Sequence, residues 1–436
     1  MSTPTSTPNH ALTNRNAVQV SGSIQPESRR MSSTSVMAPT PASVVTFLKS
    51  IGPSIMQSCR MYTPTERRIT AIYILGIMLY KLGYESFQGS ITSLATNRYD
   101  FESQGRITFQ RTGLLQGMNL LAQCLGSIIA APLIKRFSTR LVLLFAVVAF
   151  ALISTVLLIV DVRTGGKLKP KEWETTHAAD DFSYYGTYAT DLVFPVYCSA
   201  GVVYGMVELI RRVIPRDIVG TKVQKLKRMD AIVHVFYEAA GTAGAILTAE
   251  IFIPQYGNNM AFIITPIAFT LAGICWFFIA NSAAKEANTA EENISDVLPE
   301  AKHKTRLLNT LLSPFKAYIT GGKICTTSRL FIWLIPGFSF SLFAHKFLEN
   351  TVTPMVAKRY LGNAAWSQIM VGGSNLGELL GALCVLLFTD GIPTPMPWLR
   401  FDAAALLLVW FLRTWSKSLR NMSSRHVCML TTHRRP

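Results

Sequence analysis

The chain has 436 residues, 49% of them hydrophobic and 15% charged, with a mean hydropathy of +0.29. Soluble domains carry about 25% charged residues, and apolar runs long enough to cross a bilayer recur between polar stretches, which implies an all-α polytopic membrane protein. A net charge of +17 would point to nucleic acid in a soluble protein; here the Lys and Arg residues gather in loops between spans, where they set topology, and argue for a lipid bilayer and no nucleic acid as partner.

The first stretch, residues 1–66, opens with a Ser/Thr/Pro/Asn-rich segment that has too few large apolar residues to order itself and no apolar core of a signal peptide. It is read as a disordered cytoplasmic tail. Spans follow at residues 69–94, 114–134, 141–160, 192–214, 229–253 and 261–280, making a six-helix bundle over 67–282. A polar central loop covers 283–328, and two more spans are expected at 330–352 and 366–388. A ninth apolar run at 401–412 is shorter than the ~17 residues a spanning helix needs. The second bundle, 329–412, is therefore expected to be incomplete, with two to three helices, and 413–436 is a basic tail. The Lys/Arg-rich loops after the second, fourth and sixth spans put the amino terminus in the cytoplasm.

Spans one and two recur weakly as seven and eight. ITSLATNRYD at 91–100 is echoed by VTPMVAKRYLG at 352–362, and GMNLLAQCLGS at 117–127 by GSNLGELLGA at 373–382. Duplicated halves around a midplane site are a transporter architecture.

In these features the chain resembles the major facilitator superfamily, and within it fungal members, several of which sit in secondary-metabolite gene clusters. In AAPLIKRFSTR, residues 130–140, Arg136 and Arg140 match the family's loop motif between spans two and three. Lys135 stands where the motif has Asp, and Ser138 where it has Gly. Span four lacks the arginine of the drug–proton antiporter signature. The resemblance implies two repeat-related halves, alternating access, a small solute such as a secondary metabolite or organic anion, and no cofactor. It also implies twelve spans, so a truncated, non-transporting membrane protein is the alternative. The plasma membrane is the default location, with the vacuolar and peroxisomal membranes open.

Three stripes of ionisable residues interrupt the apolar helices. Asp230, His234 and Glu238 recur every four residues on one face of span five. Asp230 lies at the cytoplasmic edge within reach of water; His234 and Glu238 lie deeper, where such groups bond a neighbouring helix or line a path for solute or protons. Span one carries Lys81, Glu85 and Gln88, and span seven His345, Lys346 and Glu349. Lys81 and Glu85 either neutralise one another or form a cavity wall in which Lys81 meets an anionic solute. Glu85, His234 and Glu238 are the candidate proton carriers. Asn119, Gln123, Asn375 and Glu378 are further cavity candidates, and Glu208 precedes Arg211 by one turn, as an edge ion pair would.

Nothing points to an enzyme. The seven cysteines include no CxxC, the histidines are scattered without metal-ligand spacing, and no phosphate-binding loop, nucleophile elbow or HExxH is present. No metal site is expected.

Overall fold

A computed structural model describes residues 62–177, 181–220, 222–292, 316, 319–329 and 331–388. The tail before residue 62, most of the central loop, the ninth apolar run and the basic tail lie outside these residues. Among the described residues every regular element is helical: α1 (Pro64–Ser103), α2 (Thr108–Arg136), α3 (Thr139–Arg163), α4 (Val193–Val219), α5 (Val223–Leu247), α6 (Ile264–Glu292), α7 (Leu334–Phe347), α8 (Thr353–Leu361) and α9 (Ser367–Phe388). Helix α6 runs on past residue 282, into the stretch read as the start of the central loop.

Among the described residues, five helical segments are long and apolar enough to cross a membrane: Thr108–Ile134, Thr139–Arg163, Thr190–Val219, Val223–Tyr256 and Ala261–Ile279. They coincide with sequence spans two to six. Helix α1, which carries Lys81 and Glu85 at mid-length, lies outside that set, as do α7 and α9.

Local chemistry sets the ends of α1. Thr63 caps it, its hydroxyl accepting from Glu66 N while the Glu66 carboxylate accepts from Thr63 N, and Pro64 takes the first turn, where a missing N–H costs nothing. At the other end Gln104 adopts the left-handed region at φ 51° and its N–H closes on the Asp100 carbonyl. Glu66 also reaches across to Lys225 at the start of α5, at 2.9 Å. Two π-helical turns, Thr248–Phe252 and Leu348–Val352, each precede a proline, Pro254 and Pro354. In the second, the Thr353 hydroxyl satisfies the Leu348 carbonyl at 2.7 Å. Such widened turns are frequent at functional sites.

Helices α2 and α4, α4 and α3, α3 and α6, and α6 and α1 pack successively, and α1 also packs against α5, which packs against α9 as well. Aromatic rings fill the centre: Phe150 lies 4.7 Å from Phe269 and 5.3 Å from Phe87, and Tyr80 stacks 5.1 Å from Phe269. Between α2 and α4 the backbones nearly touch. A Cβ added at Gly126 would overlap the Val202 carbonyl oxygen, and one at Gly205 the Gln123 carbonyl oxygen. In lipid, where apolar burial between helices gains little, such close van der Waals approach is what holds a pair together.

At the end opposite Thr63, Arg98 ties down the α3–α4 connection. Its guanidinium donates to the Thr190 hydroxyl and to the Gly186 carbonyl, both at 2.9 Å, and to the Tyr188 carbonyl, and it lies 3.9 Å over the Tyr188 ring. Buried Asp161 accepts from Gly186 N at 3.0 Å and from Asn259 Nδ2 at 2.7 Å. Burial pushes the Tyr185 phenol in this connection up to about 12, so it stays protonated at neutral pH.

Replacing Gly126 by Ala forces two backbones apart and is expected to destabilise the protein by about 1–3 kcal/mol, read as a lowered melting temperature in detergent. A second expectation concerns Glu66. Partial burial raises its carboxyl pKa, but Lys225 and the Thr63 bonds outweigh this and hold it below the usual carboxylate range. A depressed folded value contributes stability above the unfolded value and loses it on acidification. The wild type should therefore melt above E66Q at pH 7, the gap closing as pH falls from ~5 to ~3.

Candidate functional site

Charge is costly against lipid, and the polar stripe of α1 falls on its seam with α5. On α1, Lys81 and Glu85 form an i,i+4 ion pair of 2.6 Å, their side chains 9% and 4% exposed. The Lys81 ammonium lies 4.6 Å over the ring of Tyr237 on α5, and Asn375 on α9 donates to Glu85 at 3.3 Å. Three helices thus meet on one ion pair.

The α7 stripe reaches the same place. Lys346 pairs with Glu349 at 2.6 Å, and Glu349 lies in the π turn that follows α7. Lys81, Glu85, Gln88, Gln123, Lys346 and Glu349 line a shared cavity of about 50 Å³, with Tyr84 and Tyr204 in its wall. At ~10–15 Å³ per water centre, this is room for a few waters and no larger occupant. Gln88 is held by the Tyr197 hydroxyl, which donates to its Oε1 at 2.8 Å, and Gln116 stands 3.0 Å from the same hydroxyl.

Asn119 and Asn375, matched in the two sequence echoes, occupy similar local settings. Asn119 is buried against Gly201 on α4 and donates to the Tyr197 carbonyl at 2.7 Å; Asn375 is buried against Gly241 on α5 and donates to Glu85. Gln123 donates to Asn119.

On α5, Asp230 is exposed. His234 Nδ1 lies 3.6 Å from Glu238 Oε1, and Glu378 on α9 completes a group of three whose ligand-type atoms fall within 4.8 Å of one another. His345 Nε2 stands 3.0 Å from Glu378 Oε1 and 3.6 Å from Glu349 Oε2. The His234–Glu238 and His345–Glu349 pairs are each set by i,i+4 spacing, and the packing of α5, α7 and α9 brings both to Glu378.

Glu208 is paired as its spacing implies, with Arg211 at 2.7 Å, and accepts from the Tyr237 hydroxyl at 2.9 Å. Tyr237, which sequence reasoning passed over, is where three charged groups meet, since Arg211 also lies 4.1 Å over its ring. Its position three residues from His234 and one from Glu238 was the available signal. Of the loop-motif residues, Arg140 donates to the Ile279 carbonyl of α6 at 3.1 Å, and Arg136 is exposed. The described cysteines, including Cys124, Cys198, Cys275 and Cys384, are free.

The class these features define is an all-α membrane protein with a charged seam inside its helix bundle. No protein-family model matches the chain, and no curated protein matches it.

The central ion pair gives a direct test. Removing one partner of a buried pair leaves an unpaired charge, which costs about 3–5 kcal/mol. Lys81→Met alone should lower the melting temperature strongly, and the double variant K81M/E85Q should recover most of the loss. Additive losses in a double-mutant cycle would mean that the pair is not coupled.

Proposed function

We propose that the protein is a secondary transporter of the major facilitator type, moving a small solute by alternating access with proton coupling. One observation supports this reading above the others: charged residues of α1 and α7, helices far apart in the chain, face one small polar cavity inside the bundle. A bilayer makes isolated charges expensive, so a protein retains several of them where they meet a solute or ion. The cavity as it stands is too small for an organic solute, as an occluded or closed state would be.

In this reading Lys81 and Lys346 attract an anionic solute such as an organic acid, while Gln88, Gln123, Asn119 and Asn375 orient it. Glu85 and Glu349 hold the two lysines until the solute displaces them. Glu238, with His234 beside it, accepts and releases the proton, and His345 and Glu378 complete that side of the seam. Arg136 and Arg140 act at the cytoplasmic ends, where Arg140 joins the α3 start to α6. Protons and a small organic anion are the partners, the bilayer is the medium, and the plasma membrane is the default location.

Proteoliposomes loaded with a pH-sensitive dye and challenged with a panel of organic anions test the reading. Wild type should acidify or alkalinise the lumen with at least one anion, and K81Q should abolish the response. Glu238→Gln should leave solute binding and remove proton movement. Wild-type vesicles inert to the whole panel, or unchanged flux in K81Q and E238Q, would overturn the reading.

A further inference from the structure

The geometry points to a binding site for a divalent first-row transition-metal cation, built from His234 and Glu238 of α5, His345 of α7 and Glu378 of α9. This reaches beyond the proposed transport, because binding is measured without flux.

Charge matching singles these residues out. Glu85, Glu349 and Glu208 each face a Lys or Arg at 2.6–2.7 Å. Among the described residues, the ion-pair partners of Glu238 and Glu378 are instead histidines. Imidazole and carboxylate together form the donor set that zinc, manganese, iron and cobalt take up. Two carboxylates would neutralise the cation, and two neutral imidazoles would add lone pairs.

Distances agree with this set. Metal–ligand bonds of ~2.0–2.1 Å place two ligands of a tetrahedral site about 3.3 Å apart. The His234–Glu238 and His345–Glu378 separations are 3.6 and 3.0 Å, one on each side of that value. Within the group of His234, Glu238 and Glu378 the ligand-type atoms lie within 4.8 Å of one another, and His345 joins it through Glu378. An i,i+4 His–Glu pair on one helix faces one point, as helical metal sites require.

An orphaned atom supplies an independent sign. Glu238 is 2% exposed, and its Oε2 has no hydrogen-bond partner among the described residues. His345 Nε2 is also buried, 3.0 Å from Glu378 Oε1. A buried carboxylate oxygen without a partner is costly, and a cation at the shared point removes that cost. His234 and Glu378, 43% and 35% exposed at their side chains, leave the group accessible to an incoming ion.

Cobalt(II) titration of the purified full chain, with any affinity tag removed, tests the site. Tetrahedral or five-coordinate Co²⁺ ligated by His and Glu gives visible d–d bands that saturate at one equivalent and are displaced by Zn²⁺. Since even outer partners of a metal are worth 10–100-fold in affinity, E378Q or H234Q should weaken Co²⁺ by about 100-fold or more. Zn²⁺ should raise the wild-type melting temperature and leave that of E238Q unmoved, which keeps the test decisive should one variant fold poorly. Absence of saturable bands at millimolar Co²⁺, or bands unchanged in all three variants, would overturn the site and leave the cluster as carboxylates that share a proton.

Discussion

The buried Lys81–Glu85 ion pair is the interaction on which the arrangement of the bundle turns. A charge in hydrocarbon costs several kcal/mol, so the helix bearing Lys81 and Glu85 must face protein. Once α1 faces inward, Tyr237 lies beneath the ammonium, Asn375 reaches the carboxylate, and α5 and α9 take their places around it. Removing either member would leave the other charge without compensation in a low-dielectric interior, where a Coulombic partner matters far more than on a wet surface.

Close packing gives that seam its rigidity. Glycines at 126 and 205 let α2 and α4 approach backbone to backbone, and the buried rings of Phe87, Phe150 and Phe269 fill the space beside them. The Arg98 and Asp161 networks fasten the α3–α4 connection at one end, while Glu66 and Lys225 join α1 to α5 at the other. Between these fixed ends lie the π turns, where the helical hydrogen-bond ladder is locally loosened and Glu349 enters the cavity wall.

Much of the site is legible as single stripes. The i,i+4 spacings of Lys81–Glu85 and His234–Glu238 place each pair on one helical face, and the structure shows both at ion-pair distance. Glu208 meets Arg211 for the same local reason. The hydrophobic runs of spans two to six appear as helices of membrane-crossing length, because apolar content and length are properties of a segment alone. The helical extension of α6 was not legible, since residues 283–292 are too polar to read as part of a span.

Residue order alone determined the helical character and the places of the apolar runs of spans two to six, and which ionisable groups share a helix face. Local spacing decides these, since neighbours along a helix are covalently constrained to stay neighbours. Tertiary structure alone decided that the α1 and α7 stripes meet in one cavity, that Tyr237 lies beneath both Lys81 and Arg211, and that His234, Glu238, His345 and Glu378 converge. Contacts across the seam, such as Asn375 to Glu85, join residues up to 290 positions apart, and no local rule carries information across such a gap. Only helix packing, driven by close glycine contacts and by the need to pair buried charge, brings them together.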